Sequence, residues 1–298
     1  MPWPSIDSYL SDITVNNKFR SLFFSRLIAV GASAAGGTWA DCFSSRGTGG
    51  PMTLTGTPGT GLALNNSTAG ALPLGPDVSP ALRRLLFMSV VGYFPSFSLP
   101  GMAMLTDLIH VYRSCALTGA PSSLSTHPTW TGTGDTRMSS PVGTQISLGL
   151  SSAGTAGNGN LTATYLNQSG ASKTTSIQVA PLSTLPTGNF YNRANQDAVQ
   201  GDVLFGLSPG DTGVSRISSY TIGTGLTGAD GYFLIHRPIC TVPLTELGRL
   251  GERNFISGLP TFPRVYDDSC LVLLVNTNSI VIVSNSVITG ELDFGWGA

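Results

Sequence analysis

Charged side chains are scarce in this sequence. They make up 10% of the 298 residues, against roughly 25% in ordinary soluble proteins. Lysine occurs only at Lys18 and Lys173, and glutamate only at Glu246, Glu252 and Glu291. Because solvated helices coat their outer faces with these residues, the composition excludes a protein made of many exposed helices. A surface with so little charge also predicts that neighbouring subunits cover much of it.

The charge balance and the spacing of ligand residues exclude two further classes of protein. The net charge of −1 lacks the clustered excess of Lys and Arg that nucleic-acid binding needs, so no nucleic-acid partner is expected. Cysteine and histidine are scattered without a short ligand pair, so neither a metal nor any other cofactor is predicted. Four cysteines permit two disulfides, but their apolar surroundings favour buried, reduced thiols, as in a bacterial cytoplasm. These residues are Cys42, Cys115, Cys240, Cys270, His110, His127 and His236.

The most apolar stretch near the N-terminus, residues 19–37, does not indicate membrane insertion. Arg26 splits its apolar run, and Asp7 and Asp12 lie upstream, which is unlike a signal peptide. The stretch is also too short and too charged to cross a bilayer. We interpret it as a buried helix or strand, and no membrane partner is expected.

Glycine, serine and threonine are abundant, and they separate short apolar segments from about residue 102 onward. Residues 161–166 and 173–179, for example, are typical of a hairpin around the turn at 167–170. Strands at this spacing predict a mainly β fold, an antiparallel β-sandwich of the jelly-roll or Ig-like kind. A short helical region is predicted at the N-terminus, where Ser5 or Asp7 can cap the first turn.

Composition divides the chain into three segments. Residues 1–78 are predicted to hold an N-terminal helix and an extended arm or loop, and residues 79–245 the β-sandwich. Residues 246–298 are predicted to form C-terminal strands and a tail that pack on the same sandwich. The Gly/Thr/Pro-rich stretch 44–78 is long for a loop without its own structure. We expect it to be mobile in the free protein and ordered against a neighbouring subunit.

The residues that catalysis would need occur as isolated near-matches. Gly31–Ala35 resembles a G-x-S-x-G nucleophile elbow around Ser33, but Ala35 replaces the last glycine and no βαβ pattern surrounds it. Asp267–Asp268 and Asp293 are carboxylates that could pair as acid and base or bind Ca²⁺. Such a pair more often caps a turn before a strand. The sequence therefore predicts no catalytic residue, and we expect a protein that is not an enzyme.

Tryptophan is the residue type most typical of an interface anchor in this chain. The four tryptophans are far apart in sequence, so nothing indicates a shared platform for stacking sugars. Trp3 and Trp296 lie near the termini, where a chain often reaches onto a neighbour. We therefore take Trp3 and Trp296 as the candidate interface anchors.

Several strand-and-turn patterns between residues 79 and 245 carry a family resemblance. An apolar Leu-x-Asp-x-Leu/Ile strand runs from Pro100–Gly101 through Leu105–Arg113 into the turn Leu117–Thr118–Gly119. It is followed by a Thr/Ala hairpin at Thr162-Ala-Thr-Tyr, by Pro209-Gly-Asp-Thr-Gly-Val with Arg216 and Ser218–Ser219, and by a strand ending at His236-Arg-Pro-Ile. These patterns resemble segments of structural proteins of tailed bacteriophages. The resemblance implies a virion component, and it carries over no catalytic residues.

Three functions remain open at this stage. The first is a virion structural protein, most simply a capsid decoration or cement subunit, with copies of itself and other virion proteins as partners. It would be assembled in the host bacterial cytoplasm and reside in the virion. The second is a neck, tail or receptor-binding protein that binds host glycan, for which clustered aromatics or a fibrous repeat are missing. The third is a hydrolase that uses Ser33 or the late carboxylates.

Overall fold

The computed structural model is mainly β, as the sequence predicts. It describes residues 6–28, 39–75, 82–93, 101–117, 119, 122–152, 159–179, 189–190, 204–223, 230–246, 248–256, 262–277 and 286–297. The elements are α1 (Ile6–Thr14), β1 (Phe19–Leu27), β2 (Trp39–Asp41), β3 (Gly61–Ala63), β4 (Leu82–Tyr93), β5 (Gly101–Ala116), β6 (Ser122–Ser123), β7 (Gln145–Ser152), β8 (Gly159–Asn167), β9 (Ser172–Val179), β10 (Asn189–Phe190), β11 (Val214–Ile222), β12 (Asp230–Leu244), β13 (Gly251–Asn254), β14 (Leu271–Thr277) and β15 (Val287–Gly297).

The strands form three antiparallel sheets. Sheet A has the order β1-β15-β4-β13, and sheet C has the order β6-β11-β8-β9. Sheet B has the order β12-β7-β10-β2-β14-β5-β3, and β12 also pairs with β5, so that this sheet closes on itself. Strands from all three sequence segments share sheets, since β1 pairs with β15 and β15 with β4. The antiparallel β architecture is confirmed, with three sheets where a simple sandwich has two.

Strand β5 connects the sheets because its side chains enter three different apolar clusters. Ala103 and Leu105 belong to the cluster between sheets A and B. Tyr112, near the other end of the strand, belongs to the cluster between sheets B and C. Met104 and Leu108 point the opposite way, into a third cluster that the loop after β2 helps to cover. The alternation of side chains along one long strand thus joins the three cores.

The Gly/Thr/Pro-rich segment packs on its own chain, which corrects the prediction of an arm ordered by a neighbour. Its described part, residues 44–75, buries Leu64, Leu72 and Leu74. Its backbone also finds partners within the chain, because the Leu72 amide donates to the Leu271 carbonyl at 2.8 Å. Most of the large apolar residues of this segment reach the core, although Leu62 stays exposed, and backbone hydrogen bonds hold the stretches between them. Residues 76–78 lie outside the described residues.

A buried arginine fastens this segment to sheet A. Arg26 of β1 is 2% exposed. Its guanidinium donates to the carbonyls of Gly50 at 2.6 Å, Ser45 at 3.4 Å and Gly70. Three carbonyls from separate turns are therefore held by one planar donor group, a geometry that the guanidinium fork favours.

A buried ion pair, Asp107 with Arg137, joins sheet B to the loops around it. The side chains of Asp107 and Arg137 are both 3% exposed and lie 2.8 Å apart. Arg137 also donates to the Leu64 carbonyl at 2.5 Å, while Asp107 accepts from the Ser269 hydroxyl and the Cys270 amide. Because every oxygen and most donors of this pair are used, the buried charges are compensated.

The cysteines are free thiols, in agreement with the prediction of reduced side chains. Cys42, Cys115 and Cys270 are buried and Cys240 is half-buried. Burial raises the pKa of Cys115, Cys240 and Cys270 to about 12, so these thiols stay protonated and unreactive at neutral pH.

Within the described ranges, no helix is long and apolar enough to cross a membrane.

Candidate subunit interface

Sheet A presents an outer face, on the side turned away from the core between sheets A and B. Phe24 of β1 lies in that core, so its neighbour Phe23 and the cross-strand partner Glu291 point the other way. The same row continues through Ser89 of β4 to Glu252 of β13. The register therefore fixes which side chains of four strands share this face.

Aromatic side chains stand out from the outer face of sheet A. Phe23 is 70% exposed and Tyr93, at the end of β4, is 53% exposed. Phe19 points to the same side of β1, and Phe87 lies half-buried opposite Asp293. Single exposed apolar residues are ordinary, but several large ones on one sheet face make that face a candidate contact surface.

The same face carries a cluster of carboxylates. Glu291 and Glu252 flank Ser89, and Asp293 follows Glu291 by two positions on β15. The Ser21 hydroxyl donates to Asp293 Oδ1 at 2.6 Å. Burial raises the pKa of Asp293, and the nearby charge of Glu291 raises it further. The outer face thus combines exposed aromatic rings with negative charge.

Strand β1 is an edge strand, and part of its outer edge has no backbone partner in the part of the chain that the structure describes. At its C-terminal end the edge is covered, because the Thr48 amide donates to the Ser25 carbonyl at 2.9 Å and the Leu27 amide donates to Arg46 at 3.0 Å. By the alternation of an antiparallel pair, the backbone groups of Ser21 and Phe23 point to this same edge. No backbone partner for them occurs among the residues described. An open edge is a place where another strand can add.

The candidate tryptophan anchors fall in different places. Trp3 lies outside the described residues. Trp296 is 2% exposed and belongs to the core between sheets A and B. Its ring lies beneath the guanidinium of Arg83, with Cζ 5.2 Å from the ring centroid. The structure therefore corrects the expectation for Trp296: β15 lies between β1 and β4 in sheet A, so a residue near the chain end is interior.

Of the residues considered for catalysis, the structure describes only the carboxylates, and these lie on separate elements. Ser33 lies outside the part of the chain that the structure describes. Asp267 and Asp268 lie in the turn before β14, whereas Asp293 lies on β15 in sheet A. Among the described residues there is no group of three or more His, Cys, Asp and Glu side chains that could hold a metal ion.

One serine–histidine contact was not anticipated from the sequence. The Ser147 hydroxyl lies 2.8 Å from His236 Nε2, and the Thr106 hydroxyl lies 2.7 Å from Nδ1. All three residues are 0% exposed. Burial lowers the pKa of His236 to about 3. A substrate cannot reach this buried contact, and His236 Nδ1 meets a hydroxyl where a catalytic triad has a carboxylate. The contact therefore has a structural role, because it connects strands β5, β12 and β7.

Comparison with known proteins gives little similarity. No family model matches the chain, and no curated protein matches it. A chain from the structure of the Gt strain of infectious bursal disease virus is 13% identical, with a TM-score of 0.21, over 94% of this chain and 79% of that chain. A chain from the crystal structure of the VP2 subviral particle of the same virus is 11% identical, with a TM-score of 0.18, over 93% and 80% of the two chains. At TM-scores this low the likeness carries no argument.

Proposed function

We propose that this chain is a structural subunit of a bacteriophage particle, most simply a capsid decoration or cement protein. It acts by binding copies of itself and other virion proteins through the outer face of sheet A and the open edge of β1. The observation that carries the proposal is Phe23, 70% exposed on an edge strand. Assembly in the bacterial cytoplasm agrees with four free cysteines.

The physical basis of the proposal is the exposed apolar surface of this face. Covering a fully exposed aromatic side chain contributes roughly 1.5–3 kcal/mol before the costs of association are subtracted. Aromatic side chains also lose little conformational entropy when they are covered, because they have only two side-chain torsions. In a particle with many copies, weak contacts of this kind become collectively strong.

The test is a pair of substitutions on the outer face, Phe23→Ser and Tyr93→Ser, with Leu62→Ser as the control. Leu62 is 36% exposed and lies on β3 in sheet B. We expect each outer-face variant to weaken incorporation into particles by roughly tenfold, since 1.4 kcal/mol corresponds to a factor of ten. Incorporation is measured as the amount of protein bound to purified particles at increasing concentration. Circular dichroism of the free variants shows whether the fold is kept.

The outcome that contradicts the proposal is specific. If Phe23→Ser and Tyr93→Ser bind particles as tightly as the unchanged protein, the outer face of sheet A is not the contact. If Leu62→Ser weakens binding equally, the loss of binding comes from the general loss of exposed apolar area and not from the outer face of sheet A.

We further propose that the chain works without catalysing a reaction. The support is that its one serine–histidine contact in the described ranges is sealed in the core, at 0% exposure of Ser147 and His236. Ser33→Ala is therefore expected to leave particle incorporation unchanged. A hydrolytic activity of purified particles that disappears in the Ser33 variant would establish the hydrolase alternative instead.

A further inference from the structure

A small cleft opens where strand β12 passes two loops. It has a volume of about 270 Å³, and its polar lining comes from Ser139, Ser140, Arg237, Arg264 and Tyr266. No carboxylate lines it among the described residues. The aspartates nearest to it, including Asp135, line an adjoining hollow that shares Arg264 and Tyr266 with the cleft.

Positive charge is concentrated at this cleft. The guanidinium carbon of Arg264 lies 4.8 Å from the Tyr266 ring centroid, and that of Arg237 lies 5.8 Å from it. A third arginine, Arg84, is bridged to Arg264 through the backbone. Burial lowers the pKa of Arg84, and the positive charge of Arg264 lowers it further. In a chain whose charges nearly balance, two arginines thus lie over one tyrosine ring, and a third arginine is on the neighbouring strand.

One carboxylate partly offsets these three charges. Asp135 Oδ2 lies 3.6 Å from Arg264 Nε, a long distance for a paired group, and the Asp135 side chain is 55% exposed. Nε of Arg264 has no hydrogen-bond partner among the described residues, so Asp135 leaves the charge of this arginine only partly compensated.

The arginines are held in place before any ligand arrives. Arg264 Nη1 donates to the carbonyls of Val265 at 2.9 Å and Arg83 at 3.1 Å. Arg237 Nη2 donates to the Ser140 carbonyl at 2.9 Å. The Ser140 hydroxyl accepts from the Val142 amide at 3.2 Å, which leaves its own proton available to donate. Because these bonds already fix the two guanidinium groups, their remaining N–H groups can bind an anion with little loss of side-chain entropy.

We infer that this cleft, which we call the Tyr266 cleft, is a binding site for a single oxyanion group, a carboxylate or a phosphate. Guanidinium groups recognise both through paired N–H donors. The volume is below the roughly 300–1,000 Å³ of pockets for drug-sized ligands, so the site takes one anionic group rather than a nucleotide. Two sources can supply that group: a free small anion, or a carboxylate side chain of a neighbouring subunit.

The first experiment titrates the isolated protein with inorganic phosphate and follows the heat of binding. Sodium chloride at equal ionic strength is the reference, because salt alone screens repulsion between the arginines. We expect saturable phosphate binding, weakened at least tenfold in Arg237→Gln and Arg264→Gln. Arg216→Gln is the matched control, an exposed arginine on β11 in sheet C, and it is expected to bind phosphate as the unchanged protein does.

The wild-type titration keeps the inference testable if a cleft variant fails to fold. Phosphate binding no different from chloride overturns the inference whatever the variants do. Equal loss of binding in Arg216→Gln and the cleft variants also overturns it, because phosphate would then be responding to overall charge.

The second experiment distinguishes the sources. Phosphate is added to particles or oligomers that contain the protein, and release of the subunit is measured. Release that depends on Arg264 shows that phosphate displaces a carboxylate of a neighbouring subunit. Retention at phosphate concentrations that saturate the isolated protein shows that the natural ligand is a free anion. The phosphate titration of the isolated protein and the particle incorporation of the Phe23 and Tyr93 variants are separate measurements on different side chains, so either proposal can fail without the other.

Discussion

Acid is expected to destabilise this protein because two core histidines must gain protons on unfolding. His236 is 0% exposed between the Ser147 and Thr106 hydroxyls, and burial lowers its pKa to about 3. His110 is 1% exposed and contacts the Thr126 carbonyl through Nε2, and burial lowers its pKa to about 4. Both side chains are neutral in the folded protein at pH values where they are charged in the unfolded chain.

The sign of the effect follows from proton linkage. A histidine of the unfolded chain titrates near 6.5, so between that pH and the lowered pKa the unfolded state binds more protons. The stability that each neutral histidine contributes is therefore complete above about pH 6.5 and is lost as the pH falls toward 3 for His236 and 4 for His110. At about pH 5 the loss is roughly 2 kcal/mol for each residue, or about 4 kcal/mol together. That is a large part of the 5–15 kcal/mol typical of a folded domain.

The measurement is the free energy of unfolding in urea at a series of pH values from about 8 to about 5. The unchanged protein is compared with His236→Gln, which removes one titrating group and keeps a polar side chain between the two hydroxyls. The variant is expected to be less stable at every pH but to lose about 2 kcal/mol less between the two ends. The slope, rather than the absolute stability, is the readout. Parallel curves for the two proteins would show that His236 titrates normally and that its burial has no such consequence.

Two further substitutions follow from the buried core. Trp296→Ala is expected to lower the free energy of unfolding, measured in urea, by about 3–5 kcal/mol. The reason is that Trp296 is 2% exposed beneath Arg83. A decrease below about 1 kcal/mol would contradict an interior role for Trp296. Asp107→Asn is expected to cost about 3–5 kcal/mol, because it leaves Arg137 buried without its charge partner, and thermal unfolding that matches the unchanged protein would contradict this.

Local features of the fold could be predicted from the sequence. The turn Asn167–Gly170 and its flanking segments predicted a hairpin, and β8 and β9 pair in that way. The Asn167 side chain explains why the turn is readable, since its Oδ1 accepts from the amides of Ser169 and Ala171. Turn chemistry of this kind acts over a few residues, so it is visible in the sequence itself.

Contacts between distant segments could not be predicted in the same way. Ser21 and Asp293 are 272 positions apart and yet bonded across β1 and β15. The sequence of one strand does not identify its pairing partner, because the pairing of distant strands depends on the topology of the whole chain. The burial of Trp296 and the packing of residues 44–75 on sheet B also depend on long-range pairing. For this reason the sequence alone did not predict them. The Tyr266 cleft was missed as well, since its arginines come from β4, β12 and the 262–277 stretch.

The scarcity of lysine and the placement of arginine have one structural explanation. Several arginines of this chain bind main-chain carbonyls rather than carboxylates: Arg26 holds three turns, and Arg237 and Arg264 each hold loops beside the Tyr266 cleft. A guanidinium can do this because its donors spread in a plane, whereas an ammonium group is a compact, strongly hydrated charge. Loops held by arginine from within need no charged pairs on the surface. Apart from the carboxylates on the outer face of sheet A, the surface therefore needs few charges, and a low surface charge favours close contact between subunits.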